Sequence, residues 1–199
     1  MTVARDACWG PAQVHALAVR EAFEAITASG FLVTLEEPDL PLHAPEGESK
    51  DLARRRKQEG DLSVWRGDPY LLLPEASQLV DVCVSIREDL GFSMLYDLAG
   101  CDLSADAANL QIVYGFLNLS RKQRLVLLTE VAKDQLHLPS VAKVFPAADW
   151  HEREASEMYG LIFDGHPDPR ALLLPEDWEG FPLRKDYVFP EEYGGIPWA

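Results

Sequence analysis

The sequence has few cysteines, and this shortage excludes two kinds of protein. Only three are present in 199 residues, at positions 8, 83 and 101, too scattered for a disulfide framework. Because no two are spaced as Cys-x-x-Cys, the chain has no local ligand set for a zinc knuckle or an iron–sulfur cluster. Cys83 falls on an apolar helical stripe, so we expect it to be a small core residue.

Basic residues and long apolar runs are also scarce. Lysine and arginine number 18 against 33 aspartates and glutamates, which gives a formal net charge of −15. Such a chain is repelled by nucleic-acid phosphates and anionic lipids, so we expect neither as a partner. No run approaches the roughly 20 apolar residues that span a bilayer, and the N-terminus lacks the features of a signal peptide. We therefore expect an intracellular protein that reaches a membrane only through partners.

The common cofactor and nucleophile motifs are missing as well. The chain contains neither Gly-x-Gly-x-x-Gly nor the Walker A pattern, which cradle dinucleotides and nucleoside triphosphates. Gly-x-Ser-x-Gly, the usual setting of a hydrolase serine, is also absent. We therefore expect no cofactor and no catalytic residue on this chain.

The apolar content and periodicity of the sequence predict a compact α+β domain over residues 1–163. Apolar residues make up 47% of the chain, enough for a packed core. Apolar periodicity predicts helices over 11–29 and 74–91, and residues 137–160 suggest a short helix, a proline break and a second helix. Predicted strands cover 31–37, 70–73, 92–100, 111–119 and 124–132.

Two connections in this domain differ in kind. Residues 120–123 are hairpin-length, so the sheet is expected to be mainly antiparallel, with helices flanking it. Residues 38–62 are polar, proline-rich and charged in blocks, which predicts an exposed loop.

Residues 164–199 have a different composition. They hold six prolines and four glycines, too many for a regular element to persist, yet they also carry six aromatic residues. Disordered linkers are poor in aromatics, and aromatic and arginine side chains are favoured at protein interfaces. This composition predicts an extended C-terminal segment that wraps a partner protein.

Two groups of titratable side chains lie just before this segment or at its start. His151, Glu154 and His166 offer zinc-type ligands, but not in the order His-Glu-x-x-His, so surface and turn histidines are the simpler interpretation. Glu152, Glu154 and Glu157 could act as a general acid and base. The alternative is a solvated helix face on which Arg153 pairs with Glu157.

The Leu-Arg-Lys-Asp-Tyr run near the end carries two cations and one anion. In an extended backbone, Arg184 and Asp186 would point to one side and Lys185 and Tyr187 to the other. Such alternation suits insertion between two surfaces. A local surface salt bridge would explain the same residues and would contribute only about 0 to 1 kcal/mol.

Residues 152–187 resemble the signature of the C subunit of proton-pumping NADH-quinone oxidoreductase, respiratory complex I. The residues that we take from this signature are Glu152, Arg153, Glu154, Gly160, Gly165, His166, Pro167, Arg170, Pro182, Leu183, Arg184, Lys185, Asp186 and Tyr187. Three positions depart from the family's usual residues. Glu157 occupies a position where the family usually has aspartate, Pro169 one where it usually has leucine, and Ala171 one where it usually has a basic residue.

The resemblance implies a non-catalytic structural subunit of the peripheral arm, on the cytoplasmic side of the cell membrane. FMN, the iron–sulfur clusters and quinone would then lie in partner subunits, and the signature would contact the large quinone-site subunit and the cluster-bearing subunits. The alternative is the equivalent subunit of a membrane-bound [NiFe]-hydrogenase or of a related ferredoxin- or deazaflavin-dependent oxidoreductase.

Overall fold

The structure, a computed structural model, describes residues 12–36 and 70–197. The predicted 38–62 loop lies outside the described residues. The helices are α1 (Ala12–Ala28), α2 (Leu79–Glu88, preceded by a 3₁₀ turn at Ala76–Gln78) and α3 (Ala148–Tyr159). The strands are β1 (Thr34–Glu36), β2 (Tyr70–Leu73), β3 (Met94–Cys101), β4 (Asn109–Asn118), β5 (Gln123–Ala132), β6 (His137–Pro139), β7 (Ile162–Asp164), β8 (Glu192–Tyr193) and β9 (Ile196–Pro197).

The main sheet has five strands in the order β1-β2-β5-β4-β3. The predicted hairpin joins β4 to β5 in antiparallel register, from Asn109↔Ala132 to Asn118↔Gln123. Among the strands of the described residues, three of the four pairings in this sheet are antiparallel, and β2 runs parallel to β5. The prediction of a mainly antiparallel sheet with helices is therefore confirmed.

One face of this sheet forms the core with all three helices. Alternation along the strands turns every second side chain inward, and Tyr114, Phe116 and Leu127 are completely buried there. The α1 and α2 stripes pack into the same apolar cluster, and Cys83 is buried in it as expected. Burial raises the pKa of the Cys83 thiol, so this cysteine behaves as an inert core residue.

The segment between β5 and α3 differs from its prediction. Residues 137–139 form a strand where a short helix was expected, followed by a turn before α3 begins. The expectation of a helix was wrong because Leu138 is a buried residue that pairs with Phe163 of β7 in a parallel two-stranded sheet. Three-residue strands are too short to show the period-2 pattern that identifies a strand.

Residues 164–197 contain little regular structure. After β7, the described part of this segment forms only the β8–β9 hairpin, and short turns and bends alternate with irregular chain in the remainder. No helix within 12–36 and 70–197 is long and apolar enough to cross a membrane.

Candidate functional site

The last helix, α3, lies at the centre of the signature segment. It packs against β3, and Ala148 and Ala155 face the apolar core. Gly160 ends the helix in the left-handed conformation, with φ of 75°, and its N–H donates to the Ser156 carbonyl. A glycine adopts this conformation without the steric cost of a Cβ, so the chain can reverse sharply into β7.

The first acidic residue of the signature, Glu152, points into the protein and is completely buried. Its carboxylate accepts a hydrogen bond from Ser140 Oγ at 2.6 Å and another from the Val141 N–H at 2.7 Å. Burial raises the pKa of Glu152, while these two bonds act in the opposite direction. The interpretation of Glu152 as a solvated residue was wrong, because this carboxylate fixes the turn that leads into α3.

The exposed side of α3 binds the backbone of the segment that follows. Arg153 donates from Nε to the Arg170 carbonyl at 2.8 Å and from Nη2 to the Ala171 carbonyl at 2.9 Å. Glu157 accepts from the N–H groups of Leu173, at 2.7 Å, and Leu174, at 3.2 Å. The expected ion pair between Arg153 and Glu157 is therefore replaced by contacts with backbone groups that have no sheet or helix partners.

The end of α3 holds the Pro-Leu-Arg run. The Leu183 N–H donates to the Met158 carbonyl at 3.2 Å, and Arg184 Nε donates to the Tyr159 carbonyl at 2.7 Å. The Arg184 guanidinium also lies over the Phe181 ring, 4.5 Å from its centre. A Cβ built on Gly160 would lie 2.6 Å from this ring and 2.8 Å from Arg184 Nη2, so only glycine allows the close approach.

A buried carboxylate connects the same run to the sheet. Asp102, just after β3, binds Lys133 Nζ at 2.9 Å and accepts from the Lys185 N–H, also at 2.9 Å. Its side chain is completely buried. One carboxylate therefore joins the end of β3, the turn after β5 and the C-terminal segment, and its charge is balanced by a lysine that is itself mostly buried.

His166 occupies a buried position beside the start of α3. Its Nε2 lies 3.0 Å from the Asp149 carbonyl and 3.2 Å from Asp149 Oδ1, and the Asp168 N–H donates to Nδ1. These contacts place a proton on Nε2 and leave Nδ1 as an acceptor. His166 lies in a turn, where its backbone N–H donates to the Phe163 carbonyl, and only 3% of its side chain is accessible.

The zinc hypothesis finds no support in this geometry. Within the described ranges, no three His, Cys, Asp or Glu side chains converge as a metal-binding group. Glu154 is exposed on α3, whereas His166 is buried against Asp149.

Comparison with known proteins identifies the family of the chain. Residues 73–193 match the family described as the 30 kDa subunit of the respiratory-chain NADH dehydrogenase. The chain belongs to this 30 kDa subunit family.

Individual relatives agree with this assignment. The chain is similar to the NADH-quinone oxidoreductase C subunit of Salinispora tropica, with 42% identity over 67% of this chain and 54% of that protein. The chain thus spans about half the length of that relative. The NADH-quinone oxidoreductase C/D subunit of Pectobacterium atrosepticum is 39% identical over 55% of this chain and 20% of its own length.

A solved structure has a fold similar to that of this chain. The trypsin-resistant fragment of Nqo5 matches 76% of this chain and 98% of its own length, with a TM-score of 0.54 and 20% identity. At that identity the similarity concerns the fold alone.

The remaining signature residues of this family member fall into two groups. Gly165 has φ of 81°, as the turn after β7 requires, and Pro182 is half-buried. The others are exposed, and we predict that they face partners: Glu154, Pro167, Arg170, Leu183, Lys185 and Asp186.

The run around Arg184 is not extended, contrary to its prediction. The Arg184 N–H donates to the Phe181 carbonyl, and the Tyr187 N–H donates to the Arg184 carbonyl, so two turns follow each other. The Tyr187 hydroxyl donates to the Glu179 carbonyl at 3.1 Å. The expected alternation of side chains was therefore wrong, and Arg184 and Tyr187 both find partners within the chain. Contact between this run and another polypeptide stays a prediction.

Sequence reasoning missed Asp102 in this site and assigned no role to Asp168. Asp102 is 83 positions from Lys185, and no local pattern marks it. Asp168 binds Arg170 Nε at 2.7 Å and Nη2 at 2.6 Å, which holds the pKa of Asp168 at about 2. The Asp-x-Arg spacing was the available signal for this second pair.

Proposed function

We propose that the chain is a non-catalytic structural subunit of the peripheral arm of a proton-translocating NADH-quinone oxidoreductase. The match of residues 73–193 to the 30 kDa subunit family carries this proposal. In this role the chain supports electron transfer from NADH to quinone, coupled to proton translocation. FMN, the iron–sulfur clusters and quinone are bound by partner subunits, and this chain contributes no cofactor ligand.

The hydrogen-bond partners of the charged signature residues support a structural role. Glu152, Arg153, Glu157 and Arg184 all bind groups of their own chain, and three of them bind backbone groups of residues 170–174 or Tyr159. Side chains engaged in this way shape a surface, whereas general acid–base catalysis needs a group within reach of a substrate proton. The relatives named as quinone oxidoreductases favour this function over the hydrogenase-type alternative.

The partners are other subunits of the peripheral arm, above all the large quinone-site subunit and the cluster-bearing subunits. The Pectobacterium protein, whose name joins the letters C and D, supports a direct contact between this chain and the D component of the complex. Through these partners the chain lies at the cytoplasmic side of the cell membrane, as a peripheral component.

Apolar side chains of the C-terminal segment form the contact in this proposal. Leu183, Val188 and Phe189 are 48%, 85% and 56% exposed. Apolar groups of this size gain free energy when a partner removes them from water, by about 25 cal/mol for each Å² buried.

The test uses cells that lack the chromosomal gene and carry plasmid-borne variants. Without the chain, we expect membranes to lose NADH-quinone oxidoreductase activity, and the tagged wild-type chain to copurify with the other subunits. Leu183→Asp and Phe189→Asp should each reduce both copurification and membrane activity at least tenfold, because a carboxylate would be desolvated at the contact.

Leu119→Asp is the matched control. Leu119 is 58% exposed at the β4–β5 turn, away from the C-terminal segment, so its variant should assemble normally. Full activity of membranes without the chain would contradict the proposal, as would stoichiometric flavin or iron in the purified chain.

A further inference from the structure

A small pocket opens on the C-terminal segment, apart from the contacts that α3 makes. Its volume is about 300 Å³. Its walls combine aromatic rings with carboxylates, and two apolar residues complete them. The rings belong to Trp178, Tyr187 and Tyr193, and the carboxylates to Asp177, Glu179 and Glu192.

The pocket is held open by contacts between two stretches of chain. The Tyr193 hydroxyl donates to Asp177 Oδ1 at 2.6 Å, and the Trp178 and Tyr193 rings lie 5.3 Å apart at 49°. Tyr187 is fixed by the Glu179 carbonyl and by an edge-to-face contact with the Phe189 ring, 5.0 Å away. The rings are therefore positioned before any ligand arrives, which lowers the entropic cost of binding.

The residues that line the pocket favour a positively charged ligand. Within the described residues, the lining contains three acids and no basic side chain. An anion would be repelled, and a neutral apolar group would desolvate carboxylates without pairing them. Aromatic faces attract cations through the ring quadrupole, and a planar guanidinium can stack on a ring while it donates to a carboxylate.

We propose that this pocket binds the guanidinium of an arginine side chain that a partner polypeptide supplies. The net charge of −15 would steer a basic segment toward this chain. The volume suits one long side chain, and the same chemistry occurs within the protein, where the Arg184 guanidinium covers the Phe181 ring. The identification of the partner as a member of the complex rests on the proposed function, but binding of an arginine side chain does not.

The experiment is an NMR titration of the isolated full chain with N-acetyl-arginine amide. N-acetyl-citrulline amide is the matched control probe, since citrulline has nearly the same shape and no charge. We expect the Trp178 indole N–H signal to shift with the arginine probe and to saturate in the millimolar range. The citrulline probe should bind at least tenfold more weakly. Equal shifts with both probes, or no saturable shift with arginine, would overturn the proposal.

Substitutions then locate the site. The double variant Glu179→Gln, Glu192→Gln changes exposed side chains and should fold normally, while its dissociation constant for the arginine probe should rise at least fivefold. Glu176→Gln, next to the pocket but outside its lining, should change that constant less than twofold. Equal losses in both variants would show that only net charge attracts the probe, and the proposal would be wrong.

The same titration distinguishes arginine from lysine as the ligand, and it tests the pocket separately from the proposed role in assembly. N-acetyl-lysine amide should bind more weakly than the arginine probe, because an ammonium cannot stack as a plane. Equal or tighter binding of lysine would contradict the assignment to arginine. A negative titration would leave the assembly role intact, because that role is tested separately by copurification from membranes.

Discussion

The sheet domain and the segment from 164 to 197 are ordered by different forces. In the domain, apolar side chains from three helices and one face of the sheet are removed from water in a single cluster. In the segment, most side chains are exposed, and the described order rests on hydrogen bonds to its backbone. Several of those bonds come from α3 and from Asp102.

This difference shows why charged residues concentrate on α3. Backbone groups of a chain without helix or sheet partners still need hydrogen bonds where the chain docks. Arginine supplies several donors in a fixed geometry and glutamate supplies two acceptors, so one helix can satisfy carbonyls and N–H groups alike. A family signature rich in charge can therefore reflect the docking of a segment on its own domain.

The largest expected effect comes from the apolar core. Phe116 is completely buried and packs against Phe145, with ring centres 5.1 Å apart. Phe116→Ala should lower the free energy of unfolding by about 3–5 kcal/mol, since it leaves a cavity in a close-packed interior. Denaturant unfolding followed by circular dichroism measures this loss.

Phe189→Ala makes the same chemical change in the other region. Because 56% of Phe189 is exposed, we expect a loss within about 0.5 kcal/mol. If the two variants lost similar stability, the segment would be part of the cooperative core and the contrast between the regions would be wrong.

A second prediction concerns the buried carboxylate of Glu152, which binds the turn before α3. Glu152→Leu removes both acceptors and leaves the buried Val141 N–H and the Ser140 hydroxyl without this partner, so the free energy of unfolding should fall by about 1–3 kcal/mol. The Ser140→Ala variant removes one of these bonds together with the acceptor of the Ala142 N–H, and it leaves the bond from the Val141 N–H in place.

The pH dependence of Glu152 has a definite sign. Its folded pKa is raised above the ordinary value of 4.5, so the folded state binds more protons in the window between the two values. The stability contribution of this group is therefore full below 4.5 and falls as pH rises through the folded pKa. Glu152→Gln should remove that slope from the stability profile. An unchanged slope would show that other groups cause it.

The third prediction tests how closely the segment docks on α3. Gly160→Ala places a methyl group against Phe181 and Arg184 and also strains a left-handed backbone, with an expected cost of about 1–3 kcal/mol. We expect faster amide exchange and faster proteolysis between 164 and 197, with little change in the exchange of the sheet.

Gly165→Ala separates the effect of backbone strain from the effect of the steric contact with Phe181 and Arg184. Gly165 has φ of 81°, similar to Gly160, but a Cβ there would meet no atom within 4 Å. Its variant should therefore loosen the segment less than Gly160→Ala. Equal loosening would show that backbone strain alone explains the effect.

The sequence predicted the sheet domain well because its signals are periodic and local. The β4–β5 hairpin and the Cys83 stripe were visible from alternation, turn length and helical spacing. The β2–β5 parallel pair and the β6–β7 pair were not, since they join strands that are far apart in the sequence or only three residues long.

The signature segment was recognised by its residues but not in its geometry. Resemblance identified Glu152, Arg153 and Arg184 as important, yet their partners are backbone groups and distant side chains whose positions depend on the tertiary fold. The burial of Glu152 and His166 also depends on how the segment returns to α3, and no pattern within a few residues encodes that path.

The smallest expected effect lies at the exposed edge of the segment. The Arg170 side chain is 81% exposed, and it donates two hydrogen bonds to the Asp168 carboxylate. Because these bonds lower the pKa of Asp168 to about 2, Arg170→Ala should move it toward the ordinary value of 3.8. Arg153, with Nη1 at 3.8 Å from the same carboxylate, should keep part of the shift.

NMR titration of the Asp168 carboxyl carbon measures this change, and Arg170→Lys should give an intermediate pKa because a lysine keeps the charge but not the planar fork. A depressed pKa stabilises the folded state above 3.8, and this contribution is lost as pH falls toward 2. At neutral pH an exposed pair contributes little, so unfolding of the domain should not change. An unaltered Asp168 pKa in Arg170→Ala would mean that Arg170 does not cause the shift.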